Sequence, residues 1–86
     1  MIFKDLNKEV ILSNLEVTRK YLDLSLEKFS TECGRSASYY RNRIKDNIPD
    51  LNFIFIASRL VNVPLNVFVT RKLKYKLVLE REESDE

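Results

Sequence analysis

The 86-residue chain has no histidine, one glycine, one cysteine and two prolines. Each shortage closes off a class of chemistry. Without histidine the commonest general base and metal ligand is missing, and a single glycine cannot build a backbone cradle for phosphate. Serine and lysine are present, but no spacing pairs them as nucleophile and base. We therefore expect no catalytic residue, no metal and no cofactor. The lone Cys33 excludes an intramolecular disulfide and a cysteine-rich zinc site, a usage that fits a cytoplasmic protein. No apolar run is long enough to span a membrane and no signal-peptide pattern opens the chain, so no membrane partner is expected.

What is present is 44% apolar residues with no long low-complexity tract, a composition that folds. A domain this short buries only roughly 60% of the surface of its unfolded chain, so its core is modest. Charge is unevenly placed. The last seven residues, EREESDE, hold five acids and one arginine, while residues 1–79 carry fourteen basic against eight acidic residues, a net of +6. Arg35, Arg41, Arg43 and Lys45 lie in a stretch without an acid, and Arg71, Lys72, Lys74 and Lys76 form a second basic run. Such runs are either solvated faces or phosphate-attracting surfaces.

The apolar spacing predicts five helices. The first spans Asp5 to Leu22, with Leu6, Val10, Leu15, Thr18 and Leu22 on its inner side. Ser25 caps a second over Leu26 to Cys33, and Gly34 ends it with a positive φ. Ser36 caps a third from Ala37 to Lys45, with Ala37, Tyr40 and Ile44 turned inward and Ser38, Tyr39 and Asn42 outward. Asp50 caps a fourth over Leu51 to Asn62. Its inward stripe reads as Leu51, Ile54, Ala57 and Val61, leaving Phe53, Ile56 and Leu60 as a second apolar stripe for something else to cover. Pro64 opens a short fifth helix that ends near Val69.

Residues 1–70 thus form one all-α unit, and 71–86 an extension. In the extension Leu73, Tyr75, Leu77 and Leu79 alternate with polar residues, the period of a half-buried strand over 73–80. Such a strand must pair with the same strand of a second subunit or pack across helix four. The competing reading is a continued fifth helix, because Lys, Leu and Glu are good helix formers.

Two helices meeting at the only glycine, followed by Pro49-Asp50-Leu51, Ile54, Ala57-Ser58, Val61 and Val63-Pro64-Leu65 through Phe68, resemble the phage repressor and Cro type of helix-turn-helix domain, the XRE family. Upstream, Arg19 with LDLS, then Phe29-Ser30 and Gly34, match the same pattern, with Ser30 at the small-residue position. The resemblance covers Leu15 to Val69 and implies a five-helix bundle. It also implies a third helix in the major groove of double-stranded DNA, with a homodimer on an inverted repeat.

Carried over by position, Ser36, Ala37, Ser38, Tyr39 and Asn42 are the base-facing residues, and asparagine can bond bidentately to adenine. Arg35, Arg41, Arg43 and Lys45 are the phosphate contacts. Leu26 stands where the family often has a phosphate-binding glutamine, and Arg35 and Arg43 stand at places that are usually apolar. Those arginines either lie on the surface because the third helix is rotated to bury Ile44, or serve phosphates. The dimer interface is expected from Phe53, Ile56, Leu60, Leu73, Tyr75, Leu77 and Leu79. The function implied is a small DNA-binding transcriptional regulator. The alternative is an interaction protein on the same scaffold with a protein partner: an antirepressor, an anti-CRISPR factor or a partner-sequestering subunit.

Overall fold

A computed structural model of the chain describes residues 7–74, and all regular structure among them is helical. The elements are α1 (Lys8–Tyr21), α2 (Leu26–Glu32), α3 (Tyr39–Arg43), α4 (Leu51–Leu60) and α5 (Leu65–Phe68). Three start on a side-chain cap. Asn7, Ser25 and Asp50 each accept from the backbone N–H of Glu9, Lys28 and Phe53, respectively, satisfying donors that the helix itself leaves free.

The same three helices end alike. After α1, α2 and α4 come Asp23, Gly34 and Asn62 at φ of 59°, 84° and 58°. The backbone bonds are those of a Schellman turn at each end. Asp23 N–H reaches Lys20 O and Leu24 N–H reaches Arg19 O; Gly34 pairs with Thr31 and Arg35 with Ser30; Asn62 pairs with Arg59 and Val63 with Ser58. Aspartate and asparagine tolerate the left-handed region better than most residues, which is how a chain with one glycine makes three such turns.

The core is built from Ile11 and Leu15 of α1, Phe29 of α2, Tyr40 of α3, Phe53, Ile54 and Ala57 of α4 and Phe68 and Val69 around α5. Three rings form its centre. Phe29 meets Tyr40 and Phe53 edge-on at 4.9 and 5.5 Å between centroids, and Tyr40 stacks on Phe53 at 5.4 Å.

This packing corrects several sequence expectations. Phe53 is fully buried, whereas Leu51 is 47% exposed, so α4 is rotated relative to the predicted stripe. Apolar residues all round α4 made the two settings indistinguishable in sequence, and the ring cluster selects one. Leu73 is also buried because Asn14 reaches it. The Asn14 side chain, itself buried, donates to Phe68 O and Arg71 O and accepts from Leu73 N–H at 2.8 Å. Residues 68–73 are thereby tied to α1. The predicted strand over 73–80 shows no strand at Leu73 and Lys74, and its remainder lies outside the described residues. The third helix is shorter than expected: Ala37 is exposed, and Ser38 rather than Ser36 occupies the cap, without a side-chain bond.

Candidate nucleic-acid interface

α3 is only five residues long, far below the length at which a helix holds itself in water, so neighbours must fix it. Ser30 of α2 does this from one side. Its hydroxyl donates to Ser36 O and accepts from Tyr40 N–H at 3.2 Å, supplying from a neighbouring helix the cap that Ser38 does not give. Asp50 does it from the other. It caps α4 through Phe53 N–H at 2.8 Å, forms an ion pair with Arg35, and donates its own N–H to Tyr39 Oη at 3.0 Å. From α1, Glu16 accepts from Tyr40 Oη at 2.7 Å.

Ser36, Ala37, Ser38, Arg41, Asn42, Arg43 and Lys45 are all exposed around the held helix, and Arg35 beside them is exposed as well. Of the base-facing set, Tyr39 stands apart. It is half-buried, with its ring 5.5 Å from Phe53 and the Arg35 guanidinium 5.2 Å from its centroid. Tyr39 therefore joins α3 to α4 rather than standing free on the surface.

The cations divide in two. Arg35 pairs with Asp50 and Arg41 with Glu27, so part of their charge is neutralised. Among the described residues, Arg43 donates only to the Ile48 carbonyl, at 2.9 Å, and Lys45 has no ion pair. A carbonyl leaves the guanidinium charge uncompensated, so of these four cations Arg43 and Lys45 are the more open to an anion.

Sequence reasoning missed Glu16, Asn14 and Asp50 as anchors. Only the Glu16–Arg19 spacing of three on a helix and the need of a buried tyrosine hydroxyl for a partner pointed that way. Burial pushes the Glu16 carboxyl up, but hydrogen bonds from Arg19 and Tyr40 and the charges of Arg19 and Lys20 outweigh it and hold it below its ordinary value of 4.5. Burial, then the Glu16 bond, push the Tyr40 phenol up, so it stays a donor. Among the described residues, no cluster of His, Cys, Asp or Glu has the makings of a metal site. No helix there is long and apolar enough to cross a membrane.

The expected interface residues are scattered. Phe53 and Leu73 are interior, Ile56 is half-buried beside the Gly34 turn, and Leu60 is 38% exposed. Tyr75, Leu77 and Leu79 lie outside the described residues. Among the described residues, an exposed apolar groove is lined by Leu51, Asn52, Phe55 and Leu65, with Arg59 5.7 Å from the Phe55 ring centroid.

No protein-family model matches the chain, and neither a search of curated proteins nor one of solved structures finds a match.

Proposed function

We propose that the chain is a sequence-specific DNA-binding regulator of the small phage or mobile-element repressor type, acting in the cytoplasm with α3 in the major groove. The observation that carries this reading is the exposed outer side of α3, with Asn42 and Arg43 on it and Lys45 two residues past its end, backed by a buried ring that packs the helix against the core. Ser36, Ala37, Ser38 and Asn42 face base edges; Arg43 and Lys45 take phosphates, with Arg35 and Arg41 contributing less because each is paired. Phosphate neutralisation supplies most of the affinity and α3 the choice of sequence.

A regulator of this type works as a dimer. Leu51, Phe55 and Arg59 follow one another at steps of four on α4. A second copy laid antiparallel with the two-fold axis at Phe55 brings ring to ring and sets each Arg59 opposite the other copy's Leu51, four residues or roughly 6 Å along the helix from the axis at 1.5 Å per residue.

Gel shift against the DNA flanking the protein's own reading frame tests this. Asn42→Ala should relax sequence choice, while Arg43→Ala or Lys45→Ala should weaken binding to all duplexes alike. Loss of neither affinity nor choice in all three removes α3 as the reader. The ion pairs on Arg35 and Arg41, together with the apolar groove on α4, favour the second reading of an interaction protein on the same scaffold. For that protein, binding to a partner persists when salt has abolished every DNA shift.

A further inference from the structure

We propose that Glu16 is a positioning residue for the reading helix. Although α1 carries it away from the exposed side of α3, it sets how α3 is presented through Tyr40 Oη, and with it how well one DNA sequence is told from another. The inference rests on the DNA-binding reading and names what holds its reading element.

Tyr40 is the single buried residue of α3. Its ring lies parallel to Phe53, with 4° between their planes, and meets Phe29 edge-on. Stacking of this kind fixes the depth of the ring but resists sliding within the plane only weakly, because dispersion is non-directional. The hydroxyl at the far end supplies the missing direction. It donates to Glu16 Oε2 at 2.7 Å, and an O–H bond to a carboxylate is of the stronger kind.

Glu16 is itself held. Arg19 Nη2 donates to Oε1 at 2.8 Å and Nε to Oε2 at 3.1 Å. Arg19 Nη1 then donates to Leu24 O at 2.8 Å, and Leu24 N–H closes the Schellman turn on Arg19 O. One continuous chain of bonds therefore runs from the rigid turn after α1 to the centre of α3. The Ser30 bonds reach α3 at its first turn and the Tyr39 bond reaches it at the same end; among the described residues Tyr40 Oη is the side-chain tie from α1 to α3 itself, with Lys8 Nζ of α1 donating to Asp46 O at 2.8 Å just past its end.

Two variants separate positioning from bulk stability. Tyr40→Phe keeps the ring and removes the tie, and Glu16→Gln keeps an acceptor but loses the charge that Arg19 grips. Each is compared with the natural protein at a temperature where all are folded by circular dichroism. Binding is measured to a duplex selected by the natural protein and to a random duplex at one salt concentration.

Discrimination between the two should fall about 3- to 10-fold in Tyr40→Phe, the worth of one net hydrogen bond. Affinity for the random duplex should stay within about twofold, since Arg43 and Lys45 are untouched. Amide exchange should quicken at Tyr39–Arg43 and not at Phe53–Ser58, and the double variant should lose no more than the worse single one. Unchanged discrimination with unchanged exchange in both folded variants overturns the proposal, as does exchange that quickens equally in α3 and α4. If the natural protein binds no duplex, the DNA-binding reading fails on its own. The exchange pattern then still decides whether Glu16 positions α3.

Discussion

Thr18 Oγ1 is fully buried and has no hydrogen-bond partner among the described residues, so its hydroxyl was stripped of water without compensation there. Replacing it with a methyl removes that cost, and Thr18→Val should raise the unfolding free energy by about 1 kcal/mol in urea titrations. Asn14→Ala should do the reverse. It orphans two carbonyls and one N–H in a buried place, at a cost of about 2–4 kcal/mol. Glu16 gives the molecule an acid limb. Its folded pKa lies below the ordinary 4.5, so the stability it contributes is complete above that value and drains away as pH falls through the folded one. Acid unfolding followed by circular dichroism should show this limb in the natural protein and its loss in Glu16→Gln. Cys33 supplies a control, since burial and then the Glu32 charge push its thiol up to about 12. It should resist alkylation at neutral pH until the chain unfolds.

Helices were legible in the sequence where local chemistry alone decides them. Ser25, Asp50 and Gly34 mark boundaries by capping and by φ, and all three stand where the sequence put them. Two further left-handed turns at Asp23 and Asn62 were not legible, because aspartate and asparagine occur in many loop roles and only the backbone bonds reveal this one. The setting of α4 and the length of α3 were not legible for a different reason. Both depend on the Phe29, Tyr40 and Phe53 cluster, which joins residues far apart in the chain. Within the candidate site, the exposed cations and Asn42 were readable from their place on α3, whereas Tyr39 was withdrawn by a bond from Asp50 that no local pattern announces. The turns also make a prediction of opposite signs. Asn62→Gly should stabilise by up to about 1 kcal/mol, while Gly34→Ala should destabilise by about 1–2 kcal/mol. Space is not the reason at Gly34, since a Cβ there would meet only Ile56 Cδ1 at 3.9 Å.

Taken as a whole, residues 1–79 carry a net charge of +6 and the last seven residues a net of −4. If α3 reads DNA, affinity must fall with salt, and each phosphate contact removed must lower the steepness of that fall by about one. If α4 joins two copies, Phe55→Asp should turn a dimer into a monomer in sedimentation while leaving the helical content unchanged, because Phe55 is a surface residue. The central claim is that the outer side of α3 enters a duplex. Selection from a random duplex pool tests it most directly, with the recovered sequences titrated across salt. The account predicts an enriched motif in the natural protein, a salt slope that drops by about one in Lys45→Ala, and loss of one position of that motif in Asn42→Ala. A pool with no enrichment, or binding that ignores salt and survives both changes, would contradict it.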